Sequence, residues 1–254
     1  MPSTDWAVCL KPAPRATLRL ICFPYAGGGA AVFQPWAAPL GPEIEVWAVR
    51  APGRESRFSE PPLSAFDQLL AAAVAGLQPA LEAPFAFFGH SLGGLLAFEV
   101  ARARQRLGAR PPAALIVAGT RAPHLRRAEP PLSQLPDESF IAALSARYQG
   151  IPSEVLANRE LLELCLPVLR ADLRAVETYC CPPDRPLACP LIALGGEHAP
   201  LVTADELAAW SRYTTAAFVQ RRVPGDHFFL NRSTAAVLDL VREALRFAPR
   251  QSKS

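Results

Sequence analysis

A chain of 254 residues, half of them hydrophobic and 19% charged, can bury the core of one large domain, expected to span residues 1–254, and is too apolar to be disordered. Its net charge of +3, carried almost wholly by arginine because Lys11 and Lys253 are the only lysines, is far from the basic stripe of a nucleic-acid binder. No apolar run approaches the ~20 residues that span a bilayer, and "MPSTDWAVCLKPAPR" lacks the basic start and apolar stretch of a signal peptide, so a cytoplasmic protein is expected.

Taken in chain order, short apolar runs alternate with longer helical patterns. "LRLICF" (Leu18–Phe23) reads as a first strand and runs into the loop "PYAGGGAA". Three glycines after a strand invite a phosphate-loop reading, but neither Gly-x-x-x-x-Gly-Lys-Ser/Thr nor Gly-x-Gly-x-x-Gly is present. "IEVWAV" (Ile44–Val49) is a second strand, and Leu63–Leu81 carries helical spacing.

"FAFFG" (Phe85–Gly89) is a third strand, followed by a helix over Leu92–Leu107. Between them stands Gly89-His90-Ser91-Leu92-Gly93. A serine on a sharp strand-to-helix turn needs residues without a Cβ two positions to either side. The turn lifts its hydroxyl to the N-terminus of the next helix. Strand before and helix after make Ser91 the expected nucleophile. The Leu92 amide would then be one oxyanion donor and that of Ala26, just before the glycines, the other.

"AALIVAG" (Ala113–Gly119) is a fourth strand. From 121 to 187 no strand pattern appears. Helical patterns over Asp137–Tyr148 and Asn158–Tyr179 are separated by "QGIPSEV", and Pro167 is an expected kink. An insertion of this kind between strands is expected to form a lid over the site. "RAPHLRR" (Arg121–Arg127) reads as a solvated charged face or, on a functional reading, a dock for an acidic partner.

"PLIALG" (Pro190–Gly195) and "AFVQRRV" (Ala217–Val223) are the last strands, with helices expected over Asp205–Tyr213 and Thr234–Phe247. The alternation predicts an α/β class, a mostly parallel sheet covered by helices on both faces. Of four histidines, His90 sits in the elbow, and His124 and His198 lie in loops with no obvious partner. His227 follows the last strand in "PGDHFF", where the chain order serine, acid, histidine of an α/β-hydrolase puts the base. The six cysteines show no paired Cys-x-x-Cys spacing, so neither disulfides nor a zinc site is expected, and Cys22 reads as core.

Together with the elbow, "FPYAGGG", "RAPGRESRFSEPP" (Arg50–Pro62), "GTRAPH" (Gly119–His124), "LPDESF" (Leu135–Phe140), "VLRADLRAVETY" (Val168–Tyr179) and "PGDHFFL" (Pro224–Leu230) resemble the type II thioesterases. These α/β-hydrolases accompany polyketide and nonribosomal peptide synthetases. The resemblance covers nearly the whole chain. It implies hydrolysis of acyl groups from the phosphopantetheine arm of carrier proteins, with Ser91, His227, Ala26 and Leu92 in the catalytic and oxyanion positions. Residues 121–187 would guard the channel for that arm. No metal or organic cofactor is required, and a monomer is the expected state.

One departure stands out. The family places an aspartate where "GGEHAP" has Ala199, and no acid follows the strand at Gly119 either. Glu197, from the same turn, is the first substitute. Asp205 is expected to begin a helix, and Asp226 adjoins His227, so its side chain diverges from the ring. The alternatives to an editing thioesterase are a catalytically impaired carrier-binding protein and an esterase for small acyl groups.

Overall fold

A computed structural model describes residues 4–125, 129–148 and 158–246. Among these, seven strands form one sheet: β1 (Ala7–Cys9), β2 (Leu18–Phe23), β3 (Ile44–Val49), β4 (Phe85–His90), β5 (Leu115–Ala118), β6 (Leu191–Gly196) and β7 (Phe218–Val223). Their spatial order is β1-β3-β2-β4-β5-β6-β7, and every pair is parallel except β1 with β3. β4, β5 and β6 are buried along their whole length, which is why they read as unbroken apolar runs rather than alternating ones.

The helices are α1 (Phe66–Gly76), α2 (Leu92–Arg106), α3 (Asp137–Tyr148), α4 (Arg159–Thr178), α5 (Ala204–Ala208), α6 (Phe229–Arg232) and α7 (Thr234–Arg246). One apolar layer packs α1, α2 and part of α4 on one sheet face, and a second packs α7 and a 3-10 turn at Ala30–Trp36 on the other. α2 is the central helix, with Leu92 through Arg102 all buried. Phe98 alone, fully buried there, contributes about 2–3 kcal/mol of apolar burial. No helix among the described residues is long and apolar enough to cross a membrane.

The sheet order creates the site. From β2 the chain moves outward to β3, then returns to β4 on the opposite side of β2. The loops leaving the carboxyl ends of β2 and β4 therefore diverge and open a crevice between them. The glycine loop and Ser91 lie on those two loops.

Several expectations are adjusted. β1 is a short antiparallel edge strand with no periodic signature in "AVC". The helix expected over Leu63–Leu81 is α1 followed by a 3-10 turn at Gln78–Leu81, and that over Asp205–Tyr213 is α5 followed by a 3-10 turn at Ala209–Tyr213. α4 matches the pattern expected over Asn158–Tyr179 to within one residue at each end, with Pro167 inside it. "QGIPSEV", Arg126, Arg127 and Phe247 lie outside the described residues. Arg121 is not on a solvated face: it is buried and donates to Glu129 (2.7 Å) and to the Leu201 carbonyl (2.7 Å).

The far end of the insertion is fastened to α2 by a buried polar cluster. Arg102 donates to Glu99 (2.7 Å) and to the Pro182 carbonyl (2.6 Å), and the Tyr179 hydroxyl donates to Glu99 (2.6 Å).

At the elbow, glycine is a steric necessity. A methyl at Gly93 would overlap the carbonyls of Phe23 and Pro24, and one at Gly89 would overlap the Gly93 carbonyl. These neighbours are backbone and cannot swing aside. Gly93→Ala is therefore expected to cost about 1–3 kcal/mol or more, read as a lower urea midpoint at unchanged m-value.

Candidate active site

Ser91 follows β4 and caps α2 with φ 55 and ψ −115. That is a left-handed conformation which an L-residue adopts only under strain. It is held by its own amide, which donates to the Ala118 carbonyl of β5 (2.8 Å), while its carbonyl accepts from Gly94 (3.0 Å). The strain turns the side chain out of the sheet at the positive end of α2. Leu92 is the first residue of that helix, so its N–H has no intrahelical acceptor.

The loop after β2 carries Ala26, whose amide is the other expected oxyanion donor. The Gly27 N–H is taken by Asp172 Oδ2 (2.7 Å) and the Gly28 N–H by the Tyr25 carbonyl (2.8 Å). No acceptor among the described residues takes the Ala26 N–H.

His227 stands in the turn between β7 and α6 and is 5% exposed. The turn is built by Asp226, whose Oδ1 accepts from the Phe228 amide (2.8 Å) and whose Oδ2 pairs with Arg232 (3.1 Å), and by Ser233, whose hydroxyl donates to the Pro224 carbonyl (2.6 Å). Asp226 is thus engaged with its own turn. Aromatic rings enclose the imidazole: Tyr148 from α3 at 5.2 Å and Phe228 at 5.1 Å between centroids.

His90 packs edge-on to His227, with ring centroids 5.2 Å apart, and is fully buried. Both rings press on Gly119, just beyond β5, where a Cβ would lie 2.9 Å from His90 Nε2 and 3.6 Å from His227 Cε1. Burial pushes the His90 imidazole well below its ordinary 6.5; the neighbouring His227 adds to this, and a polar contact with the His227 backbone opposes it. His90 therefore folds neutral, and the unfolded chain binds its proton more tightly. Stability contributed at neutral pH is lost as pH falls below about 6.5, by up to ~1.4 kcal/mol per pH unit. Urea midpoints at pH 7.5 and 5 should separate more widely in the wild type than in His90→Leu.

Ser91 and His227 line one partly open cleft. Its apolar wall comes from Leu173 and Val176 of α4 and from Leu201 and Val202; Arg121, Glu129, Arg147 and Glu177 form its polar margin. Glu177 is already occupied by the amide and hydroxyl of Ser133 (3.2 and 2.5 Å) and the Leu132 amide (2.6 Å).

Glu197 is not brought to His227. Its amide donates to the Val223 carbonyl (2.9 Å) and the next amide, His198, to the Gly225 carbonyl (2.9 Å). These bonds lock the turn against the His227 loop and leave the Glu197 side chain exposed, with no hydrogen bond or ion pair among the described residues. Ala199 is the buried residue of the turn, 6% exposed. Asp205 lies in the first turn of α5, as expected. His198 is exposed, whereas His124 does have partners, Tyr213 (3.0 Å) and Arg212 (3.2 Å), from a segment nearly 90 residues away.

Two groups near the site, Arg54 and Asp172, were not singled out by sequence reasoning. Both lie inside the blocks "RAPGRESRFSEPP" and "VLRADLRAVETY", whose resemblance was the only available signal.

A family model described as a thioesterase domain matches residues 18–245. GrsT, a gramicidin S biosynthesis protein of Aneurinibacillus migulanus, is 39% identical over 241 residues, covering 95% of this chain and 94% of that protein. Thioesterase PikA5 of Streptomyces venezuelae is 42% identical over 228 residues, or 89% of this chain and 80% of its own. Among solved structures, the type II thioesterase BorB from the borrelidin biosynthetic cluster superposes with a TM-score of 0.88 at 38% identity, covering 97% of this chain and 100% of that one. With its α/β-hydrolase sheet, its serine elbow and these relatives, the chain belongs to the thioesterase family, as a thioester hydrolase of the type II kind.

Proposed function

We propose that the chain edits a polyketide or nonribosomal peptide synthetase by hydrolysing acyl groups stalled on the phosphopantetheine arm of carrier proteins. Ser91 Oγ attacks the thioester carbonyl while His227 takes its proton. The tetrahedral oxyanion is held by the Ala26 and Leu92 amides. Collapse expels the pantetheine thiol, which takes the proton from His227. A water activated by the same imidazole then releases the free acid and restores Ser91.

The observation that carries this reading is the strained serine at the N-terminus of α2, on one cleft with a buried histidine from the turn after β7. The apolar wall of Leu173, Val176, Leu201 and Val202 gives the acyl chain a place out of water. Solved relatives named as coming from NRPS/PKS pathways, ClbQ of the colibactin pathway and YbtT of the yersiniabactin pathway, suggest the substrate class.

Ala199 and the exposed Glu197 favour a second reading, a carrier-binding protein with impaired catalysis. A thiol is a good leaving group, so alanine at the family's aspartate position is less of a handicap for thioesters than for amides. Intact-mass measurement of an acyl-loaded carrier protein, with and without the enzyme, separates the two. Acyl loss above the spontaneous rate, together with labelling by a fluorophosphonate, supports the editing enzyme. A carrier that binds but stays acylated, beside an unlabelled protein, supports the second reading.

A further inference from the structure

The insertion does more than cover the cleft. Asp172, on α4, is 1% exposed, and its carboxylate reaches across to the glycine loop after β2. Its Oδ2 accepts the Gly27 N–H at 2.7 Å, and both its oxygens pair with Arg54, at 2.9 and 3.1 Å. Arg54 in turn donates to the Gly28 carbonyl at 2.9 Å. The two side chains therefore grip successive residues of the loop, one by its amide and one by its carbonyl. One turn earlier on α4, Leu169 lies so close over Gly27, which has φ +77, that a Cβ there would overlap its side chain.

We propose that Asp172, seated by Arg54, is a positioning residue for the oxyanion hole, so that the insertion helix α4 sets the aim of the Ala26 amide. The Gly27 N–H belongs to the peptide joining Ala26 to Gly27. Fixing that peptide limits rotation about Ala26, whose own N–H has no acceptor among the described residues. A charge-assisted, bidentate pair holds its geometry more firmly than a single neutral hydrogen bond does. Oxyanion donors act by being in place before charge develops, so an error of about 1 Å is felt in the rate. A shift of α4 away from its seat would release the loop, and the position of the insertion thereby governs chemistry as well as access.

The inference rests on the assignment of Ser91 and the Ala26 amide above, so the wild type is assayed first for phosphonylation of Ser91 by a fluorophosphonate. A wild type that is not phosphonylated sinks that assignment itself. With it in place, Asp172→Ala is expected to lower kcat for an acyl-pantetheine thioester by about 10²-fold with KM within about threefold. Phosphonylation should slow by a similar factor, because it passes through the same oxyanion site. Asp172→Asn, which keeps an acceptor for the Gly27 N–H but loses the charged pair with Arg54, should fall between the alanine variant and the wild type in both rates. Unchanged kcat with a lower melting temperature would reduce the pair to a structural anchor and overturn the proposal. A rise in KM alone would overturn it too, by placing the pair at the substrate entrance. Should the alanine variant not fold, Asp172→Asn and Arg54→Lys decide the matter: parallel losses in kcat and phosphonylation support positioning, and unchanged rates refute it.

Discussion

Alanine in place of Ser91 is expected to abolish fluorophosphonate labelling and to lower kcat/KM for a carrier-bound thioester by at least about 10²-fold. The size of the loss is informative. In a serine hydrolase with a full triad, removing the nucleophile costs about 10⁶, and removing the acid alone costs about 10⁴. Members of such a unit are not additive, because each works through the others. A chain with alanine at 199 starts part of the way down that scale, so the remaining dependence on Ser91 is smaller than in a complete triad. Stopped assays on a saturating thioester, with His227→Ala alongside, read this directly: the two variants should fall to the same floor.

The second large effect runs upward. Ala199→Asp is expected to raise kcat by about 10²-fold or more, toward the ~10⁴ that an orienting acid can contribute. Position 199 is the buried one in the turn that Glu197 N–H and His198 N–H fasten to the His227 loop. It is also the position at which the type II thioesterase pattern carries its aspartate. The same substitution should deepen the cost of Ser91→Ala by the factor it adds to the parent. Glu197→Gln is the matched control. With its side chain exposed and unbonded among the described residues, it should leave kcat within about twofold, as for a surface change. A loss of tenfold in Glu197→Gln would return the glutamate to the site.

The elements that organise the cleft were legible because each carries a short-range signal. β2 and β3 run over the expected residues, and β4 to β7 differ from expectation by one or two at their ends. Buried parallel strands announce themselves as apolar runs, and the elbow as glycines at fixed offsets. α3 also occupies its expected range. What escaped was set by contacts between distant parts of the chain. β1 is a strand because β3 offers it an edge. The direction of the Glu197 side chain is dictated by backbone bonds to Val223 and Gly225, which the spacing of "GGEHAP" cannot convey. Arg54 and Asp172 meet across 118 residues, beyond the reach of any periodicity, and Arg121 turned inward because Glu129 and the Leu201 carbonyl awaited it.

The left-handed backbone at Ser91 has a practical consequence for engineering. Glycine is the one residue that adopts that conformation without a Cβ penalty, which is on the order of 1–3 kcal/mol for other residues. A library screened only for heat resistance would therefore enrich glycine at this codon, since each kcal/mol is worth about 2–4 °C in a domain of this size. The winners would be sturdier and chemically dead. Any search for a hardier version of this enzyme has to gate on turnover as well as on melting.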